Sequence, residues 1–293
     1  MLIAASLTLS ICFSDTVSEY AKYGLSLSYN LIIPVVFPYM ILSDLLLSYV
    51  HLEGFTPLSH SFSRIFKISP RGIGAYISGL ICGFPTGVKL GRDLYLSGMI
   101  DKDECERLIC FSCNPSPAFL IGGIGFSIRG SVCDGVILLI ANLIASITLG
   151  AILSLGKHSS HREKCNNDKY SFSLTSSIKD AAINTLSTCG FITFFSIIIG
   201  IVRTLIPSDA FIITLSTLLE ISNATSFIAN SSLPPRAALS LAAFAASSSG
   251  ISVLLQSKNL LIGTDISMKY YIPARLLTGS VSAFITFIAC TIL

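Results

Sequence analysis

Charge is what this chain has least of. Only 12% of its 293 residues are Asp, Glu, Lys or Arg, while 52% are hydrophobic. That is about half the charged share of an ordinary soluble domain, too little to clothe a soluble surface of this size. The mean hydropathy of +0.75 agrees. A net charge of +3 is too small and too dispersed for a nucleic-acid binder. Long polar stretches are missing too: none exceeds about 25 residues, well below the usual domain minimum, so no soluble catalytic domain fits between the apolar runs. The nine cysteines lie mostly inside apolar stretches without the paired framework of a secreted protein. The Cys110–Cys113 pair forms a lone CxxC. No Walker loop, nucleophile elbow or HExxH is present, which argues against an enzyme and against an ATP-driven pump. His51, His60, His158 and His161 all fall in polar loops without acidic or cysteine partners at ligand spacing, so no metal or other cofactor is expected.

What the chain does have is hydrophobic length. Eight runs approach the length that crosses a bilayer, at 31–50, 72–90, 106–128, 132–155, 181–206, 209–229, 237–256 and 270–293. A ninth at 2–14 lacks the basic lead-in and cleavage site of a secretory signal and is expected to be a first span or the end of one. The expectation is an all-α polytopic membrane protein in a bacterial cell membrane, with the lipid bilayer as its surroundings. Asp44, near the end of the first long run, is expected at the interface.

Two loops are basic, 51–71 with Arg64, Lys67 and Arg71, and 157–179 with Lys157, Arg162, Lys164, Lys169 and Lys179. Both should be cytoplasmic. Three apolar runs separate them, yet two loops on one side require an even number of crossings, so one run must enter and leave on the same face. Gly83-Phe84-Pro85-Thr86-Gly87 and Asn114-Pro115-Ser116-Pro117 mark where helices break. Such breaks are tolerated at membrane depth only where protein or a watery cavity covers them.

The second half repeats this order about 135 residues later, with Glu220 to Thr225 in place of the Gly-Phe-Pro-Thr-Gly break and Ser247-Ser248-Ser249-Gly250 in place of Asn-Pro-Ser-Pro. With three crossings per repeat the second is inverted relative to the first, the pattern of secondary transporters. The expected division is an N-terminal span and link over 1–28, a first membrane repeat over 29–155, a basic loop over 156–180 and a second repeat over 181–293.

The candidate binding residues follow from the breaks. Half-helix N-termini carry positive partial charge and suit an anion, which nominates backbone amides near Thr86, Gly87, Ser116 and Gly250, with Asn114 and Ser248 as side-chain donors. Lys89 is the expected long-range attraction; its alternative role is to snorkel at a span end. Glu220, with Asn223 and Thr225 nearby, is an intramembrane carboxylate of the kind that marks a ligand, ion or proton site, with Lys89 or Arg275 as partner. A purely structural ion pair is the alternative, and for the serine run, small-residue helix packing.

At these residues the chain resembles the YlbJ (stage V sporulation protein V) family. Cys82-Gly83-Phe84-Pro85-Thr86-Gly87-Val88-Lys89 is similar to that family's CG(Y/F)PTGAK, and Glu104 to Phe111 to its EEAERLLAF. Pro117 to Gly122 ends the matching broken segment. Phe37-Pro38-Tyr39-Met40 and Ser249-Gly250-Ile251-Ser252-Val253 resemble its FPFM and GLSV. Two departures stand out: Ser116 and Ser249 replace glycines. The resemblance implies a gate module shared with concentrative nucleoside transporters and with the membrane part of ferrous-iron transporters. It also implies export of dipicolinate, a small aromatic dianion, across the mother-cell-derived forespore membrane during endospore formation. A nucleoside or cation transporter of the same gate type, and a non-transporting sporulation scaffold, are the alternatives. Oligomeric state is left open, a homo-oligomer included.

Overall fold

The computed structural model describes residues 12–49, 56–157 and 174–292, with side chains described outside 43–49 and 56–60. Residues 2–11 of the ninth run, His51, His158, His161 and most of the second basic loop lie outside these residues, and the side chains of Asp44 and His60 are not described. Every regular element among the described residues is helical. Among the described residues five helices are long and apolar enough to cross a membrane: Ser14–Leu42, Val132–Leu153, Leu174–Leu205, Pro235–Leu260 and Tyr271–Ile292.

Chain order gives the first repeat as α1 (Ser14–Leu27), a π-helical turn (Ser28–Ile32), α2 (Ile33–Tyr49), a short amphipathic α3 (Thr56–Phe66), α4 (Pro70–Cys82), α5 (Thr86–Leu96), α6 (Lys102–Ser112), a second π-helical segment (Phe119–Gly125), α7 (Phe126–Arg129) and α8 (Val132–Leu153). The second comprises α9 (Leu174–Leu205), α10 (Asp209–Leu219), α11 (Ile221–Ala229), α12 (Pro235–Ser248), α13 (Gly250–Leu260) and α14 (Tyr271–Ile292). One expectation is corrected here. The first long helix starts at Ser14, well before residue 31, because Asp15, Glu19 and Lys22 interrupt the apolar run without interrupting the helix. Glu19 and Lys22 favour helix intrinsically, Asp15 suits the positive end of the first turn, and the apolar face of α1 is left free to pack on α9. There Gly24 lies against Thr193 and Ser196, and Gly200 against Tyr20, so α1 and α9 run antiparallel.

Local chemistry sets the element ends. Ser69 caps α4 by accepting from Gly72 N at 3.1 Å, with Pro70 at the first helical position. Asp101 caps α6 by accepting from Glu104 N at 2.8 Å. Ser131 caps α8, and Pro235 opens α12.

Contacts between elements show which ends share a face. On one face Arg107 donates to the carbonyls of Phe66 (3.0 Å) and Lys67 (3.1 Å). There too Lys157 pairs with Asp103 at 2.6 Å, and Ser154 donates to Phe66 O. The edges of both basic loops therefore sit at one end. The loop between α13 and α14 joins them. Arg92 donates to Leu260 O (2.9 Å), Tyr95 to Asp265 (2.7 Å), Lys102 pairs with Asp265 (3.1 Å), and Ser267 N donates to Glu106 (2.9 Å). On the opposite face Arg203, at the end of α9, pairs with Asp209 at 3.2 Å and lies over Phe227, 5.4 Å from its ring centre. α7 packs against α11 and α12.

These ties resolve the parity problem. α4 and α5 form a hairpin that enters and leaves on the basic-loop face. α10 and α11 form a hairpin on the opposite face, since the end of α11 returns to the start of α10. α6–α7 and α12–α13 are broken crossings in opposite directions, and α8 and α14 are uninterrupted ones. The protein is thus all-α and polytopic, built from two inverted repeats with broken and re-entrant helices.

Candidate functional site

The breaks are sharper than the sequence alone suggests. The first spans Gly83 to Pro85, where Gly83 has φ 82°, a conformation glycine adopts freely. The second spans Cys113 to Ser116. Ser116 Oγ accepts from Phe119 N at 3.2 Å, capping the helical segment beyond. The third is a single residue, Glu220, extended at φ −156°, ψ 129°. The fourth is Ser249, left-handed at φ 72° and followed by Gly250 at φ 60°. Ser249 thus holds a conformation that favours glycine, the residue the YlbJ resemblance puts there.

A cavity of about 50 Å³ lies where the first three breaks meet α13, the helix that follows the fourth. Its walls are Ile32, Val36 and Met40 from the first helix, Cys82 to Pro85 from the first hairpin, and Ser116 and Phe119 from the second break. Glu220, Ile221 and Ser222 come from the second hairpin, Asn184 and Thr188 from α9, and Ser252, Val253 and Gln256 from α13. The two hairpin tips therefore reach one cavity from opposite faces. At this size it holds roughly three or four water molecules.

Glu220 is the one carboxylate in this lining. It is 4% exposed, and both oxygens are engaged: Oε1 accepts from Ser222 N at 3.0 Å, and Oε2 from Asn223 N at 2.8 Å and Asn223 Nδ2 at 2.9 Å. Ser196 in turn donates to Asn223 Oδ1 at 2.9 Å. The carboxylate caps α11 and meets the positive end of that helix. Neither expected partner is there. Lys89 reaches outward to Asp180 at 3.8 Å, where the two side chains are 40% and 59% exposed. Arg275 binds the fourth break instead.

The other nominated residues separate into those at the cavity and those behind it. Ser116, Glu220 and the turn after it line it. Thr86 opens α5 just beyond the lining, and its N–H donates to Gly83 O at 3.0 Å. Gly87 is buried against Ser112, whose carbonyl oxygen a methyl group at Gly87 or Gly79 would strike. Its Cα therefore packs closely against α6. Ser248 donates to Ala245 O at 3.3 Å within its own helix. Gly250 packs against Leu219 O, joining the fourth break to the third.

Asn114 is fully buried in a polar chain. Its Nδ2 donates to Phe111 O (2.7 Å) and its Oδ1 accepts from Asn142 Nδ2 (3.4 Å). Asn142 Oδ1 accepts from Ser247 Oγ (3.0 Å), and Arg275 Nη2 donates to Ser247 O. The second and fourth breaks, one from each repeat, are thereby tied through α8. Sequence reading missed Asn142. It also missed Asn184, Thr188, Ser252 and Gln256, which form a polar strip along one wall. Thr188 Oγ1 donates to Gln256 Oε1 at 3.5 Å, and Gln256 Nε2 to Ser252 Oγ at 3.3 Å. The available signal was the i, i+4 spacing of each pair within otherwise apolar helices.

No family model matches the chain, and no solved structure does. Among curated proteins it is similar to the sporulation integral membrane protein YlbJ of Bacillus subtilis (strain 168). The two are 25% identical over an alignment covering 90% of this chain and 75% of that protein. The similarity supports the YlbJ family, fits a sporulation membrane role, and with the apolar helices supports an integral membrane location.

Proposed function

We propose that this chain is a secondary transporter or facilitator of a small organic anion, and that its cargo is dipicolinate leaving the mother cell during endospore formation. The observation that carries transport is the convergence of two oppositely inserted hairpin tips and two broken crossings on one cavity. Each hairpin covers the cavity from one face, so parting them in turn exposes it to alternate sides. At about 50 Å³ the cavity is too small for a ring-bearing solute, so loading requires a hairpin to move. The YlbJ resemblance supplies the cargo. The test is uptake of labelled dipicolinate by vesicles containing the purified protein, against empty vesicles. Saturable uptake is expected; uptake no faster than in empty vesicles overturns the reading in favour of a scaffold.

One observation favours a second reading. The only carboxylate in the lining is Glu220, and the other polar groups are hydroxyls and amides. That chemistry suits a nucleoside or a cation as well as it suits an anion. Competition in the same vesicles separates the two: unlabelled nucleoside leaves dipicolinate uptake unchanged on the first reading and suppresses it on the second.

A further inference from the structure

We infer that Arg275 sets the charge selectivity of this site, attracting a carboxylate-bearing solute into the cavity from behind the fourth break. The inference rests on the anion reading above. Arg275 is 2% exposed. Nε donates to Ser249 Oγ at 3.1 Å and Nη2 to the same oxygen at 2.8 Å. Its Nη1 has no partner, and among the described residues no ion pair includes it. A guanidinium stays charged at any accessible pH. Its charge is met here only by a hydroxyl and by the carbonyl at the end of α12. The other buried arginine among the described residues, Arg107, pairs with Asp103 at 3.0 Å. Arg275 is thus a buried cation without a counter-ion, which is costly at membrane depth unless it serves a ligand.

Its position connects it to the cavity. Ser249 flanks the start of α13, three residues before the lining residue Ser252. Gly250 lies against the Leu219 carbonyl, so Arg275 and Glu220 flank one junction, with the carboxylate already satisfied by α11 and Asn223. Those hydrogen bonds leave the carboxylate its charge, so Arg275 is the cation that offsets Glu220 and lets an anion enter. For two unit charges about 10 Å apart in a medium of effective dielectric about 20, such an interaction is worth roughly a tenfold preference. Lys89, drawn outward to Asp180, is excluded from the role.

The test measures uptake of dipicolinate and of pyridine-2,6-dicarboxamide, a neutral molecule of similar shape, in vesicles containing full-length protein. Arg275→Gln is expected to lower the dipicolinate-to-dicarboxamide ratio about tenfold, Arg275→Lys to preserve most of it, and Lys89→Gln to leave it unchanged. Equal loss of both solutes in Arg275→Gln, with Arg275→Lys failing likewise, reduces Arg275 to a brace and overturns the inference. If Arg275→Gln does not fold, Arg275→Met decides, because it removes the charge without leaving an unpaired polar head: a ratio lowered about tenfold supports the inference, and an unchanged ratio overturns it. Wild-type protein that moves neither solute overturns the transport reading and the inference with it, whereas wild-type selectivity that survives Arg275→Gln overturns the inference alone.

Discussion

Asn142 donates to Asn114 and accepts from Ser247, so one amide on α8 holds a broken helix from each repeat at once. Neither break can shift against the other without losing a buried hydrogen bond. Asn142→Leu should leave the Asn114 amide oxygen and the Ser247 hydroxyl unpaired, destabilising the protein by about 1–3 kcal/mol. Thermal unfolding in detergent measures it; an unchanged midpoint would show that the two breaks are held by packing alone.

Glu220→Gln should abolish transport while leaving insertion and yield near normal, because the amide can still cap α11 through its oxygen. Glu220→Ala removes the cap as well, at a cost of about 1–2 kcal/mol. Normal transport by Glu220→Gln makes the residue an ordinary cap.

Ser249→Gly and Ser249→Ala both strip Arg275 of its hydroxyl partner, but only glycine relaxes the left-handed backbone. Alanine should therefore be the less stable variant by about 1 kcal/mol. Matching unfolding midpoints for the two would contradict the φ of 72°.

Gly79→Ala and Gly87→Ala should each overpack the seam with Ser112, costing about 1–3 kcal/mol. Uptake should fall for charged and neutral solutes alike. A loss confined to one solute would return Gly87 to the binding site.

Asp265 ties the repeats together on the basic-loop face. The hydrogen bond from Tyr95, then Lys102, holds its carboxyl below the usual carboxylate range. A depressed value means that the tie is present above the ordinary carboxylate pKa of about 4 and is lost as pH falls through the lower folded value. Spin labels at exposed Leu96 and Ile262 should separate only below about pH 4, and Asp265→Asn should remove that dependence. A distance unchanged on acidification would mean that other contacts hold this face shut.

Much of this architecture was legible because membrane helices are written in hydrophobic length and their breaks in proline, glycine and clustered polar residues. Gly83-Phe84-Pro85 and Ser249-Gly250 announced themselves in that way, and the odd number of runs between the basic loops pointed to a re-entrant hairpin. Partner choice was not legible. Lys89 and Glu220 sit at comparable places in the two repeats, but helix rotation turns Lys89 outward to Asp180 and leaves Glu220 to its own helix. The polar strip of Asn184, Thr188, Ser252 and Gln256 was hidden for another reason: single polar residues in apolar helices are common, and only the fold shows that two pairs face each other. Residues 15–30 were hidden by their charges, which are exposed on a continuous helix.

The π-helical turn at Ser28–Ile32 adds to this helix one residue more than a regular α-turn carries. An extra residue advances everything beyond it by roughly 100° about the axis. The half before the turn presents Gly24 to α9, and the half after it both packs on α9 and presents Val36 and Met40 to the cavity. The turn acts as a phase adjuster: deleting one residue within it should rotate α2 and disturb the cavity wall and the α2–α9 contact together, while the Gly24 seam stays in place. In the language of a mechanism, one inserted residue sets the phase of the cavity wall against the α1–α9 seam.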